Sequence, residues 1–224
     1  EEAALSDAVL KKAAPNLNVD RLSELLFDGR EHCRANAARG LGHVGKSAFE
    51  VVPLLLVALR DGHEDVRVAS AEALGRLGQD PEEVVPALAG AFTRGGAATR
   101  DTVLEAVDAY GKAALEPMLG LLSGRPEKIA LVGAVARRDP KTYLKPLQAA
   151  LTDDSVIVQE NAADTVASLG AAGAAAESAL MAVVEASDVP LKCKAIRAVG
   201  HVGKPTLALS AQLASVARDD ARES

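Results

Sequence analysis

Aromatic side chains are nearly absent from this sequence. Phe, Tyr and Trp together make up 2% of its 224 residues and there is no Trp, although 49% of the residues are hydrophobic. The apolar content is therefore mostly Ala, Leu and Val, which favour helices that pack closely with little bulk at any one point.

Cysteines, long apolar runs and basic stretches are also scarce. Two cysteines, Cys33 and Cys193, do not make a disulfide framework, so we expect a reducing cytoplasm. No apolar run approaches the ~20 residues that span a bilayer, so we expect no membrane insertion. The net charge is −6, and residues 1–111 hold 12 basic and 18 acidic side chains against 13 of each in 112–224. Without a basic stretch to neutralise phosphates, nucleic acid is excluded as a partner.

One unit recurs along the chain. Six copies begin at Arg34, Arg67, Arg100, Lys128, Gln159 and Lys192, and a seventh, degenerate copy falls in phase at Glu1. Counted from the leading residue, offsets 3, 4 and 7 are apolar or small in every copy, which describes one face of an α-helix. Most copies end in Gly, where a helix C-terminus favours a left-handed residue.

A second periodic stretch separates the copies and carries a proline at a recurring place, at Pro53, Pro86, Pro117 and Pro146. An interior proline removes a hydrogen bond and bends a helix. The unit is thus predicted as helix A with a bend, a short turn, helix B and another short turn.

The stretch Gly40–Ala48, GLGHVGKSA, satisfies the phosphate-loop pattern G-x-x-x-x-G-K-[ST]. A phosphate loop must follow a strand and open a helix, so that backbone N–H groups face the anion. Here Gly40 to Gly45 closes a helix B, whose carbonyl end repels phosphate. We therefore exclude a nucleotide site at this segment.

The stretch Val51–Gly78 resembles a HEAT repeat, most closely the short HEAT-like units named after phycobilisome (PBS) lyases. The proline in helix A, the turn Asp65-Val66-Arg67 and the A-x-x-A-L-G run carry the resemblance. Tetratricopeptide and ankyrin arrays are excluded because the aromatics of the first and the T-P-L-H-x-A text of the second are missing. The resemblance implies an all-α fold, an α-solenoid of antiparallel helix pairs with about six repeats, with helices B lining the concave side. It also implies that the arginines leading helices B bond an Asp in the neighbouring turn, a ladder that we interpret as structural; these are Arg34, Arg67 and Arg100.

The array has two irregular places. We expect residues 1–224 to form a single solenoid cut from a longer protein at both ends, because neither terminus carries the polar cap that a solenoid needs. The fourth unit loses five residues between Gly111 and Lys128, and its helix B ends without Gly. We expect a local break in curvature there.

Few residues of the sequence are candidates for metal binding or catalysis. The HEAT-like deoxyhypusine hydroxylases hold two irons with His-Glu pairs directly after the Val-Arg, whereas His63-Glu64 precedes Val66-Arg67 here. The other histidines lie in different repeats and cannot converge on one metal. Cys33 and Cys193 lie near helix starts, which can lower a thiol pKa, but core or turn packing is the favoured role. We therefore expect no catalytic residue, metal or cofactor.

Function is then expected on the side of helices B that faces away from the core, at offsets 2, 5 and 9. We predict a non-enzymatic scaffold that binds a partner protein or peptide on this concave surface. The alternative is an accessory subunit of the PBS lyase type, acting on a chromophore-carrying protein. The candidate partner-binding residues are Asn36, Arg39, His43, Glu72, Arg76, Thr102, Glu105, Arg137, Asn161, Asp164, Lys194, Arg197 and His201.

Overall fold

A computed structural model of the chain describes residues 18–45, 50–124, 126–186 and 189–203. These residues divide into two compact units, with the boundary between Met118 and Leu119. In the first unit the helices are α1 (Val19–Leu25), α2 (Glu31–Val44), α3 (Val52–Ala58), α4 (Glu64–Leu77), α5 (Pro81–Arg94) and α6 (Ala97–Tyr110). A 3-10 turn at Gly111–Ala114 leads into α7 (Leu115–Gly120), which spans the boundary.

The second unit begins with a 3-10 turn at Leu121–Ser123. Its helices are α8 (Pro126–Arg138), α9 (Pro140–Ala150), α10 (Val156–Ser168), α11 (Glu177–Ala186) and α12 (Val189–Val202). A second 3-10 segment, Gly170–Ala176, leads into α11. Among the described residues there is no β-strand. The predicted α-solenoid of helix pairs is confirmed, with the even-numbered helices from α2 to α12 as helices B. The seventh copy at Glu1 and the C-terminal stretch from 204 lie outside the described residues.

Helices B pack on one another within each unit. In the first unit α2 contacts α4 and α4 contacts α6, while each helix A packs mainly on the helix B that follows it. Glycine makes these approaches possible: a Cβ on Gly42 would lie 2.8 Å from Cα of Ala73, and a Cβ on Gly75 would lie 2.8 Å from Cα of Ala106. Both contacts recur at the 33-residue period, so the close stacking is a property of the repeat.

The predicted core positions are confirmed with two exceptions. The residues at offsets 3, 4 and 7 of each helix B are buried, among them Ala38, Leu41 and Leu74 at 0% exposure. Leu104 in α6 and Ile196 in α12 are only partly buried. The helical face assigned from the sequence is therefore the face that packs against helices A and neighbouring helices B.

The turn before helix B repeats the same hydrogen bonds in both units. The Asp in the middle of each turn accepts the backbone N–H two residues later: Asp28 from Arg30 (2.9 Å), Asp61 from His63 (2.9 Å) and Asp153 from Ser155 (2.8 Å). The residue leading helix B donates back to the carbonyl of that same Asp: Arg34 at 2.8 Å, Arg67 at 2.8 Å and Gln159 at 2.6 Å. These bonds satisfy backbone groups that the helix start leaves unpaired.

In the described part of the chain, the predicted ladder of arginine–aspartate bonds is formed by one of its three arginines. Arg34 pairs with the Asp61 carboxylate of the next turn, but Arg67 and Arg100 bond main-chain carbonyls instead, at Asp61 and Phe92. For Arg67 the reason is the sequence, because the residue one period after Asp61 is Arg94. The buried Nε of Arg67 has no hydrogen-bond partner among the described residues.

The prolines of helices A do not all lie in a helix interior. Pro86 and Pro146 lie inside α5 and α9, as predicted. Pro53 instead occupies the first turn of α3, and Pro117 is the third residue of the short α7. A proline in the first turn removes an N–H that would have no partner anyway, so the prediction of a recurring interior bend is wrong at these two positions.

The phosphate-loop pattern lies at the C-terminal end of α2. Gly40 lies in the last two turns of α2, and Gly45 follows the helix with φ of 75°. The segment closes a helix, as predicted, and the Lys and Ser of the pattern lie outside the described residues. Gly78, Gly111 and Gly170 also have positive φ, which confirms the helix-ending role of these glycines.

The boundary between the two compact units falls inside the shortened fourth repeat. There, one helix A is replaced by a 3-10 turn, a six-residue helix and a second 3-10 turn. The predicted irregularity of this repeat is thus present in its local structure. A change of curvature and a single solenoid over residues 1–224 stay predictions.

No helix within the described ranges is both long and apolar enough to cross a membrane.

Candidate functional site

A cleft of about 190 Å³ opens on the surface of helices B in the first unit, between α4 and α6. Two acidic side chains, Glu72 of α4 and Glu105 of α6, line it together with Arg76. Small residues and one threonine complete the lining: Gly75, Thr102, Ala106 and Ala109. The close packing of Gly75 on Ala106 forms the floor, since no side chain fills the space between the two helices.

Most predicted binding residues of the first unit surround this cleft. Glu105 and Arg76 are exposed, and Glu72 is half-buried. Arg76 Nη1 lies 2.7 Å from Nε2 of His43, one repeat earlier. Arg39 Nη1 lies 3.4 Å from Oδ1 of Asn36 within α2, a weak hydrogen bond at that distance. The structure therefore places the predicted charged residues of α4 and α6 around one cleft.

Two predicted binding residues are more buried than their offset predicts. The prediction that offset 2 faces solvent is wrong for Thr102 and Asn161, which are 9% and 7% exposed. The Thr102 hydroxyl donates to the carbonyl of Ala98 at 2.9 Å, and the Asn161 amide donates to the carbonyl of Leu122 at 2.7 Å. At these two positions offset 2 lies within a packed interface, whereas Ala130 at the same offset of α8 is exposed.

In the second unit the predicted charged residues pair with one another. Lys194 of α12 contacts Glu160 at 2.9 Å and Asp164 at 3.1 Å, both on α10. Arg197 Nη2 donates to Asp164 Oδ1 at 2.5 Å. Partial burial alone would lower the pKa of Lys194, but the hydrogen bonds from its ammonium to Glu160 and Asp164 outweigh that effect and raise it. These residues form an interhelical ion-pair cluster that joins α10 to α12.

Two further candidates of the second unit have main-chain partners. Arg137 of α8 is exposed, and its Nη1 lies 3.5 Å from the carbonyl oxygen of Ser168. The exposed His201 lies with Nδ1 2.7 Å from the carbonyl of Arg197 in its own helix. The charged surface of the second unit is therefore largely engaged in contacts within its own helices.

Sequence reasoning missed the residues that give the cleft its shape. Gly75, Ala106 and Ala109 carry no charge and are not among the predicted binding residues, yet their small side chains leave the open volume. A signal was present in the sequence, because Ala109 stands where the two preceding repeats have His43 and Arg76.

The His63-Glu64 pair, which was compared above with iron-binding His-Glu pairs, has a structural role. His63 is the exposed residue that precedes α4. Glu64 reaches the next repeat, where its Oε1 accepts the Thr99 hydroxyl at 3.1 Å and lies 3.4 Å from the Thr99 amide nitrogen. Since the residue before α6 is a glycine without a capping side chain, Glu64 occupies the place of a cap there.

Comparison with known proteins agrees with this architecture. Residues 19–109 match the family model described as HEAT repeats. No curated protein matches the sequence.

Among solved structures, the TOG domain array of crescerin, whose title describes microtubule regulation in the primary cilium, is 16% identical with a TM-score of 0.57; the match covers 87% of this chain and 93% of that chain. At this identity the likeness shows the fold alone. The CpcE and CpcF complex of phycocyanin lyase from Nostoc sp. PCC7120 is 23% identical with a TM-score of 0.41, over 84% and 78% of the two chains. The archaeal HEAT-like repeats protein from Thermococcus onnurineus NA1 is 13% identical with a TM-score of 0.39, over 89% and 97%.

Proposed function

We propose that this chain, a HEAT-repeat α-solenoid, is a non-enzymatic scaffold that binds a segment of a partner protein on the helix-B surface of its first unit. The observation that supports the proposal most directly is the charged cleft between α4 and α6. A concave surface built on stacked helices presents its side chains on a rigid frame, which lowers the entropic cost of binding.

The first unit is the better candidate for the binding surface. In the second unit the equivalent surface carries the cluster of Glu160, Asp164, Lys194 and Arg197, whose charges already compensate one another. A partner that displaced these pairs would have to form contacts at least as favourable as the ion pairs that it broke. The cleft lined by Glu72 and Glu105 requires no such exchange.

The alternative function, an accessory subunit of the PBS lyase type, has less support. Small-molecule and cofactor sites usually occupy about 300–1,000 Å³ and are lined by apolar and aromatic side chains. The cleft of about 190 Å³ is smaller and is lined by charged and small residues. Visible absorbance of the purified protein from the source cells would favour the lyase alternative, and its absence from a preparation that retains the partner would favour the scaffold.

A reducing cytoplasm is part of the proposal. Cys33 and Cys193 are both free thiols, which persist under reducing conditions.

Site-specific photocrosslinking in the source lysate tests the proposed surface. A photoreactive amino acid replaces Ala109, an exposed residue at the cleft, and in a matched variant replaces the exposed Val57 on helix A. We expect protein adducts from position 109 and none of the same adducts from position 57. Adducts that form equally at both positions, or only at 57, would contradict the proposal.

A further inference from the structure

Building on the proposed function, we infer that the cleft between α4 and α6 accepts an arginine side chain of the partner segment. The guanidinium would lie between the carboxylates of Glu72 and Glu105. The partner is then a protein whose bound segment is exposed and has a protruding arginine.

The argument begins with equivalent positions in the two units. Glu72 and Glu105 stand at the same offset of successive helices B, 33 residues apart, and so do Asp164 and Arg197. In the second unit these positions hold an acid and a base, which meet at 2.5 Å between α10 and α12. Side chains at this offset can therefore form an ion pair from one helix B to the next. In the first unit the two positions hold two acids, which repel each other, because Glu105 stands where the second unit has Arg197.

The neighbouring arginines of the first unit do not supply that cation. The side chain of Arg76 extends toward the preceding helix, where Nη1 lies 2.7 Å from His43. Arg39, one repeat before Glu72, lies against Asn36 of its own helix. Within the described residues, neither Glu72 nor Glu105 has a hydrogen-bond or ion-pair partner. With two carboxylates and one arginine in the lining, the cleft has a net charge that favours one added cation.

The size of the cleft and the chemistry of its carboxylates select the occupant. The volume of about 190 Å³ suits a single side chain better than a cofactor. Helices packed as closely as α4 and α6 lie about 8–10 Å apart. A planar guanidinium presents several N–H donors in fixed directions and can bond two carboxylates at once, whereas an ammonium is a compact and strongly hydrated charge. Ala109 leaves one side of the cleft open, so the side chain can enter from a segment lying across the helices.

Binding of synthetic heptapeptides to the full chain tests the inference. The probes are acetyl-Gly-Ser-Gly-Xaa-Gly-Ser-Gly-amide with Arg, Lys or Gln at Xaa, titrated at low salt and followed by ¹H–¹⁵N NMR. We expect the arginine peptide to bind at least about tenfold more tightly than the glutamine peptide, with the lysine peptide between them. The shifted amides should belong to α4 and α6.

Three variants locate the binding. In E105R the new arginine should pair with Glu72 as Arg197 pairs with Asp164, so the cleft is filled from within and the arginine peptide no longer binds. The double variant E72Q/E105Q should lose binding as well. The control E82Q/E83Q changes the net charge by the same amount at exposed positions of helix A and should bind as the wild type does.

Two results would overturn the inference. One is an arginine peptide that binds no better than the glutamine peptide. The other is a loss of binding in E82Q/E83Q as large as that in E72Q/E105Q, which would show attraction to overall charge. If crosslinking at position 109 captures a partner while the arginine peptide fails to bind, the arginine assignment is wrong and the scaffold proposal stands. A thermal melt of E105R separates a filled cleft from an unfolded protein.

Discussion

Arg34 and Asp61 form a two-bond ion pair between adjacent repeats, with Nε at 2.8 Å from Oδ2 and Nη2 at 3.0 Å from Oδ1. Both side chains are largely buried, at 14% and 15% exposure. A bidentate pair of this kind fixes direction as well as distance. It connects the start of α2 to the turn before α4 and so sets the register of the first two repeats.

Substitution of Asp61 by Asn should destabilise the protein by about 1–3 kcal/mol at pH 7, because Arg34 would lose a charged partner and remain partly buried. Urea unfolding followed by circular dichroism measures the change. The exposed Asp65 provides the control, and D65N should cost less than about 1 kcal/mol. Equal costs for D61N and D65N would show that the pair does not stabilise the array.

The same pair predicts a dependence on acid. Hydrogen bonds from Arg34, and then from the backbone of His63, hold the pKa of Asp61 below its usual value despite burial. A carboxyl with a lowered folded-state pKa contributes stability above its unfolded pKa of about 3.9, and this stability is lost as the pH falls through the folded-state value. The wild type should therefore lose more stability below about pH 4 than D61N does. Parallel stability curves for the two proteins would contradict the role of Asp61.

Arg67 offers a test by addition. Its buried Nε has no partner among the described residues, and position 94 is related to Arg67 as Asp61 is to Arg34, 27 residues further on. In R94D the new carboxylate should pair with Arg67, with a coupling energy of about 1 kcal/mol. A double-mutant cycle with R67Q measures this coupling energy. An acid at the end of α5 has an unfavourable effect of its own, but that effect is present with or without the R67Q substitution and therefore cancels in the cycle. A coupling of zero would show that the turn before α6 has a different geometry.

The close stacking of helices B is tested by adding a methyl group. G42A and G75A should each destabilise the protein by about 1–3 kcal/mol, since the new Cβ would lie 2.8 Å from a backbone carbon of the next helix. The helical Gly200 is the matched control, because its added Cβ has no atom within 4 Å apart from its chain neighbours and the backbone of its own helix, among the described residues. G200A should stabilise the protein by about 0.5–1 kcal/mol through helix propensity alone. Denaturation midpoints give all three values, and a gain in G42A or G75A would contradict the stacking.

Tyr110 ties the end of α6 to the turn after α4. Its hydroxyl lies within hydrogen-bond distance of two carbonyl oxygens, those of Leu74 (3.1 Å) and Gln79 (2.8 Å), and donates to them. The residue is 7% exposed. Y110F should cost about 1–2 kcal/mol, because buried carbonyls lose their donor. Thermal unfolding checks this, and an unchanged melting temperature would contradict it.

The alkaline limb provides a second readout for Tyr110. Burial, and then the charge of Asp80, raise the pKa of the phenol. A raised folded-state pKa contributes stability that is present below the unfolded value of about 10 and is lost as the pH rises further. The wild type should therefore lose stability above pH 10 more steeply than Y110F. The two proteins would lose it in parallel if the phenol ionised freely in the folded state.

The helical register of the array follows from the sequence because apolar spacing alone decides which face packs. Leu41 and Leu74 are buried where their offsets predict. The burial of Thr102 does not follow, because it depends on how closely α4 and α6 approach at Gly75, which the periodicity of α6 alone does not record. The burial of Asn161 does not follow either, because it depends on the position of the Leu122 carbonyl that its amide bonds.

The candidate site was predictable only in part. An acid and a base at one offset in successive repeats allow the pairing of Asp164 with Arg197 but do not ensure it, because Arg39 and Glu72 stand in the same relation and Arg39 lies against Asn36 instead. The charged residues Glu72 and Glu105 follow from the helical period, because their offset faces away from the core. The cleft between them does not, because an open volume depends on the absence of side chains at Gly75 and Ala109, and hydrophobic patterning does not record what is missing.

Capture of partners from the source lysate tests the central claim, that the helix-B surface of the first unit binds a protein segment. The bait proteins are the wild type, a variant with R39E, E72K and E105K, and the control E82K, which changes the net charge by the same two positive units on helix A. Proteins retained by the wild type and by E82K but lost from the triple variant are the predicted result. Retention of the same proteins by all three baits would contradict the account and place the binding surface elsewhere on the chain.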